Sequence, residues 1–284
     1  MFPAVSDTSA EQLLLSLDET LIQLRQSWPE KWPGLAVVFA QCWRRLGHGT
    51  QGLDDRTQAL LFFATLGAEH IEKDGQARAS NGREPEYHNR LHMADSLACM
   101  THLLLALRAQ NLPGTRLPHL EALMLVIMLG HDYLHPGGNN AFPMQLERIA
   151  VDGLLPLMAQ SGLYTPDCET VQHCILMTDP SSVKPTHQAI SGRPFSLEDR
   201  DWMCILAQEA DIMASTLPNT QQSLTQSLSN EWQHTNPEAA AKLLLPNSRL
   251  FFLEHAALFS SPAAQYLGLN DIKSRQINAL QNKP

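Results

Sequence analysis

Four histidines and three aspartates of this chain fall in a pattern that could do chemistry. His88 and His92 are four residues apart, and Asp95 follows one turn later. On a helix that spacing puts the two imidazoles on one face. His131-Asp132 follows a short, wholly apolar segment, and His135 comes within four residues. Asp211 closes the run Glu209-Ala210-Asp211 near the end of a further helical pattern. Imidazole and carboxylate donors together suit Zn²⁺, Mn²⁺ or Fe²⁺ at one position, and carboxylate with water suits Mg²⁺ or Mn²⁺ beside it. Taken singly, the fragments are weak. An i,i+4 histidine pair is most often plain helix surface, a His-Asp dipeptide is common, and His131 after Gly130 reads equally as the end of an apolar helix.

Taken together and in order, they carry more. Tyr87-His88-Asn89-Arg90-Leu91-His92 through Asp95 resembles the signature Y-H-N-x-x-H-x-x-D of the class I cyclic-nucleotide phosphodiesterases, within the HD-domain metal-dependent phosphohydrolases. His131-Asp132-Tyr133-Leu134-His135-Pro136-Gly137-Gly138-Asn139-Asn140 resembles the partner string H-D-x-x-H-P-G-x-x-N. Thr178-Asp179 and Ala210-Asp211 resemble two later elements of that family. The resemblance covers roughly residues 86–211. It implies an all-α fold, a compact multi-helix bundle, and two divalent ions: Zn, Mn or Fe at the tighter site and Mg or Mn at the second. It implies His92, His131, Asp132 and Asp211 as ligands of the tighter ion, with Asp132 bridging to the second. It makes His88 the general acid and puts His135 near the metal-bridging water and the substrate phosphate. Tyr87, Asn89, Asp95, Asn140, Thr178 and Asp179 would support these groups or the substrate, and Glu147 the second ion's water shell. The reaction implied is the opening of a 3′,5′-cyclic phosphate to a 5′-monophosphate by a metal-bridging hydroxide.

The departures lie where the family holds its base. Ala214 stands where an Asn is usual, three residues after Asp211. Ser248-Arg249-Leu250-Phe251-Phe252 is the best match to a late Ser-Gln-x-x-Phe motif, so Phe252 keeps the stacking position and Arg249 replaces a Gln. An amide both donates and accepts, whereas a guanidinium only donates. These changes keep open an HD-type phosphohydrolase acting on another nucleotide or phosphodiester. A di-iron oxygenase of the HD type uses overlapping ligand types, but the Y-H-N and H-P-G-x-x-N strings argue against it.

The elements that must position these residues read as helices throughout, with no convincing alternation of strand type. Ser9 and Gln12 have capping-box spacing before a leucine-rich helix to about Gln26. Further helices are expected over Leu35–Leu46, Asp55–Lys73, Tyr87–Gln110 and Glu121–Gly130, the last without a polar face and so buried all round. Helices are also expected over Leu146–Gln160, Thr170–Thr178, from Ser196/Asp199 through Asp211, and over Gln222–Trp232, Pro237–Leu245 and Leu250–Phe259. Asp74–Glu86 reads as a loop. So does Asp179–Phe195, with three prolines and one glycine, which reads equally as a lid, with Lys184, His187 and Arg193 able to meet an anion, and as a solvated connector. One catalytic domain over residues 1–284 is expected, with 1–80 as a helical wall and 86–260 as the metal-centre region.

Composition agrees with such an enzyme. The net charge of −9, without a Lys/Arg block, suits a small phosphorylated partner, expected to be a nucleotide, and not a nucleic-acid polymer. The five cysteines are odd in number and lack a CxxC pair, as expected of reduced thiols in a cytoplasmic protein. No basic-then-apolar leader is visible over Met1–Glu11, and no apolar run is long enough for a bilayer.

Overall fold

The structure, a computed structural model, describes residues 9–282. The first eight residues of the segment read as lacking a leader lie outside that range. Fourteen α-helices are described and no strand is found among the described residues. The chain runs through α1 (Ala10–Ser27), α2 (Leu35–Arg45), α3 (Asp55–Ser80), α4 (Arg90–Ala109), α5 (Pro118–Gly130), α6 (Gln145–Ser161) and α7 (Thr165–Leu176). It continues through α8 (Pro180–Ala189), α9 (Arg200–Thr216), α10 (Gln221–Trp232), α11 (Pro237–Leu243), α12 (Pro246–Phe251), α13 (Pro262–Tyr266) and α14 (Leu269–Gln281). No described helix is long and apolar enough to cross a membrane.

The centre is built by α4, α5 and α9. Sixteen of the twenty residues of α4 are buried, so it is surrounded, with α1, α2, α5 and α9 packed against it. Every residue of α5 from Leu120 to Gly130 is buried, as its missing polar face demands. Gly130 has a packing reason: a Cβ there would stand 2.6 Å from a Leu154 methyl of α6. α1 starts as its capping box specifies, with Ser9 accepting from the Gln12 amide, and Leu13, Leu17, Leu21 and Leu24 form its buried stripe.

Four local expectations are corrected. First, α3 runs seven residues past Lys73, through the segment expected as a loop. Its polar residues there face outward or make ion pairs. Gly75 is the point of close approach, where a Cβ would stand 2.5 Å from Cδ and Nε of Arg90. Second, α4 starts at Arg90, not Tyr87, because Asn89 caps it: its Oδ1 accepts from the amides of Leu91 and His92, at 2.9 and 3.2 Å. His88 therefore lies outside the helix and shares no helical face with His92. Third, Pro180–Ala189 is the helix α8 and not loop; Pro180 sits in the first turn, where its missing N–H has no intrahelical partner to lose. Fourth, the helix expected over Leu250–Phe259 is α12 followed by a π-helical turn, Phe252–Ala256. The last two helices, α13 and α14, follow beyond it.

Candidate active site

Three central helices bring four side chains to one point. His92 is in the first turn of α4, His131 and Asp132 follow the end of α5, and Asp211 is in α9. The Nε2 of His92 is 3.1 Å from Asp132 Oδ2 and 3.0 Å from Asp211 Oδ1. The Nε2 of His131 is 3.3 and 3.4 Å from the same oxygens, and 3.3 Å from Nε2 of His92. Donors bound at ~2.0–2.1 Å around a tetrahedral ion are about 3.3 Å apart, so the spacing fits one divalent ion of the Zn type. His131 Nδ1 is 2.9 Å from the Met128 carbonyl, which can only accept. The proton is therefore on Nδ1, and the Nε2 lone pair faces the cluster.

The electrostatics agree. Burial works against charge on His92, yet Asp132 and Asp211 lift its pKa to about 9. They lift His131 well above its ordinary value too. Both carboxyls are held well below the usual range against the pull of burial, chiefly by His131 with His92 assisting. Two carboxylates so close to each other need a cation between them, supplied by imidazole protons or by a metal that displaces them.

Beside this quartet lies a second group, and one of its members was not singled out in the sequence. His88 Nδ1 is 2.7 Å from Glu231 Oε1 in α10. Glu231 Oε1 also accepts from the Gly138 amide, and its Oε2 accepts from the amides of Tyr87 and His88 at 3.0 and 2.9 Å. Burial alone would raise this carboxyl, but His88 and the two amides bring its pKa down to about 2. His135 stacks on His88, ring centroids 3.8 Å apart. Its pKa is pushed down to about 4 by burial and then by His88. The Gly137 amide donates to His135 Nδ1 at 3.1 Å, so neutral His135 carries its proton on Nε2. His88, His135 and Glu231 are close enough to hold an ion of their own. The four hydrogen bonds already made to Glu231 fill the roughly four acceptor sites of a carboxylate, which favours a proton-handling group instead.

The remaining residues named from the sequence divide into three sets. Asn140 gathers one set: its Nδ2 donates to both oxygens of Glu147 and to Asp179 Oδ1 at 2.9 Å, and its Oδ1 accepts from the Leu146 amide. Burial first, then Asp179 and Asp132, raises the Glu147 carboxyl, so this corner is rich in negative charge. The second set supports the ligands from behind. Asp95 receives a two-pronged ion pair from Arg25 of α1, at 3.0 and 2.7 Å. Tyr87 bonds Ser215 at 3.0 Å, and Asn89 ties the turn before α4 to the carbonyls of Pro85 and Glu86.

The third set lines cavities. One, of about 300 Å³, opens beside Asp211 and is lined by Thr178, Lys184, Gln208, Ile212 and Phe252 among others. A smaller one, about 100 Å³, is lined by Tyr87, Ser215, Arg249 and Phe252. Phe252 thus borders both. Arg249 borders only the smaller, and its guanidinium is already engaged. It donates to the carbonyls of Ser215 and Thr216 at 2.7 and 3.2 Å and to Gln276 Oε1 at 2.6 Å, closing the C-terminal end of α9. Ala214 is buried and lines neither cavity. Of the three cations expected to face an anion, only Lys184 lines the cavity beside Asp211. His187 bonds Ser260, and Arg193 pairs with Asp199 and Asp201.

Comparison with known proteins places this geometry. Residues 87–150 match the family described as 3′5′-cyclic nucleotide phosphodiesterase. No curated protein sequence matches the chain. Among solved structures, LmjPDEB1 in complex with IBMX, a Leishmania phosphodiesterase, is similar with a TM-score of 0.66 and 17% identity, over 98% of each chain. That likeness shows a shared all-α fold. Over its signature segment the chain is similar to the cyclic-nucleotide phosphodiesterases, and over the rest the likeness is one of fold.

Proposed function

We propose that the chain opens a 3′,5′-cyclic nucleotide to the 5′-monophosphate, with His92, His131, Asp132 and Asp211 holding the tighter divalent ion and His88 as general acid. The observation that carries the reading is the His88–Glu231 pair set beside the His/Asp quartet. When bound, two divalent ions supply Lewis acidity toward a phosphoryl oxygen and toward a water. The chain's own groups do the rest. Glu231 fixes His88 by its Nδ1, leaving Nε2 to deliver a proton to the departing 3′ oxygen. Neutral His135 offers its Nε2–H to a phosphate oxygen. Glu147 and Asp179, held by Asn140, form a negative corner that would hold the second ion together with Asp132. The base packs on Phe252, which borders both cavities.

Base choice is where a second reading has support. With Arg249 spent on the end of α9 and Ala214 buried, the two departures leave no amide pair for a purine edge. A different nucleotide or phosphodiester fits the same catalytic groups. The deciding experiment is a hydrolysis panel of cyclic nucleotides, nucleoside mono- and triphosphates and an aryl phosphodiester, run with Mn²⁺, Mg²⁺ and Zn²⁺. Turnover of a cyclic nucleotide above all others supports the first reading. Turnover confined to the other classes replaces it with the second. IBMX, the ligand of the structurally similar phosphodiesterase, is expected to inhibit in the first case.

A further inference from the structure

Two cysteines outside the site stand in contact. Cys174 of α7 and Cys204 of α9 are both buried, and their Sγ atoms are 3.5 Å apart. The other three, Cys42, Cys99 and Cys168, are free thiols, and only Cys168 is partly exposed. Half-buried His173 lies beside the Cys204 sulfur. The two helices lead directly into the active site. Cys204 is two turns before Asp211 in α9, on nearly the same face at 3.6 residues per turn. α7 ends at Leu176, just before Thr178-Asp179, and the Met177 carbonyl there accepts from Gln208 of α9 at 2.5 Å.

We propose that Cys174 and Cys204 are a modification site: a dithiol that a peroxide converts to a disulfide, tying α7 to α9 and switching off hydrolysis. In the first step the Cys204 sulfur attacks one peroxide oxygen. The O–O bond breaks, the departing hydroxide takes up the proton released by Cys204 and leaves as water, and Cys204 becomes a sulfenic acid. In the second step the Cys174 sulfur attacks that sulfur. The S–O bond breaks, and the departing hydroxide takes the Cys174 proton as a second water. The two sulfurs together lose two electrons and the peroxide gains them. The hydrogen bond from Cys174 and then His173 hold the Cys204 thiol down to about 6 against burial, and the same bond pushes the Cys174 thiol up, so Cys204 is the attacking sulfur. A disulfide requires ~2.05 Å between sulfurs. Closing from 3.5 Å draws the two helices together, and a shift of about 1 Å in a catalytic group can cost on the order of 10²-fold in rate.

The inhibitory half of this proposal rests on the phosphodiesterase reading; the chemical half does not, and the test separates them. Whole protein with Mg²⁺ is treated with hydrogen peroxide, and intact mass, peptide mapping and aryl phosphodiester hydrolysis are followed together. The expected result is a loss of 2 Da, a Cys174–Cys204 cross-linked peptide pair, and a fall in turnover of roughly tenfold or more that dithiothreitol reverses. Cys174→Ser and Cys204→Ser should each abolish both the cross-link and the reversible loss, while Cys168→Ser should keep them. Oxygen addition at single cysteines without a cross-link overturns the site. A cross-link with unchanged turnover overturns the switch and leaves the site standing. A cross-link in protein that never hydrolyses any phosphodiester counts against the enzymatic reading instead.

Discussion

The quartet of His92, His131, Asp132 and Asp211 and the trio of His88, His135 and Glu231 share a neighbourhood but are built differently. The quartet projects from the first turn of α4, the end of α5 and the last third of α9, with both histidines buried and both aspartates partly exposed. Its donors converge at 3.0–3.4 Å with nothing but each other as partners there. The trio is drawn from two non-helical turns and the end of α10, and one carboxylate imposes its order on backbone amides and imidazole alike. The first arrangement is a rigid cage for a cation. The second is an imidazole fixed by a carboxylate beside a neutral partner. The two histidines four residues apart in sequence divide between them because Asn89 starts the helix after His88 and before His92.

Breaking the cage should have the largest effect. Asp132→Ala removes a carboxylate from both proposed ions. It is expected to strip bound metal and lower turnover by ~10³-fold or more, the equivalent of several kcal/mol of Lewis-acid stabilisation. Metal analysis after gel filtration checks it, and full metal content in the variant would disprove the ligand assignment. His88→Ala should instead keep its metal and lose ~10²–10⁴-fold on a substrate with an alkoxide leaving group. The loss should shrink on a nitrophenyl ester, whose leaving group needs no proton. Equal losses on both would move His88 out of the acid role.

Glu231→Gln sharpens the comparison further. It should leave the cage loaded and reduce turnover by ~10–100-fold, the usual scale for a partner that orients a catalytic imidazole. Stability carries a second signature. The Glu231 pKa is depressed from 4.5 in the unfolded chain to about 2 in the fold. Its stabilisation is therefore complete above pH 4.5 and is lost as pH falls through about 2. The Gln variant should lack that part of the acid slope in chemical denaturation. The smallest effect belongs to Gly75→Ala, which thrusts a methyl against Arg90 while Glu84 and Glu72 hold that side chain in place. About 1–3 kcal/mol of destabilisation is expected from such overpacking, with little change in kcat. A neutral or stabilising result would mean that Arg90 yields.

What the sequence disclosed follows the same division. The quartet was legible because its residues lie inside short strings whose spacing is fixed by helix starts and ends. The helical class, the buried α5 and the capped α1 were legible for the same reason: local periodicity and capping chemistry. Glu231 was not, because nothing in Leu228-Ser229-Asn230-Glu231-Trp232 marks it, and its partners lie 93 to 144 residues away. Arg249 was read as a base contact from its position after Ser248. Its tie to α9 depends on the carbonyls of Ser215 and Thr216 and on Gln276 of α14, a helix the periodicity did not reveal. α8 was hidden by its two prolines, of which Pro180 sits in the tolerant first turn and Pro185 inside the helix.

The carboxylate of Glu231 also makes the two groups separable. The cage needs α4, α5 and α9, whereas the proton site needs residues 87, 88 and 138 to meet residue 231. A chain whose α10 is undocked would keep the quartet and lose the carboxylate that fixes His88, so loosening α10 should cost turnover before it costs bound metal.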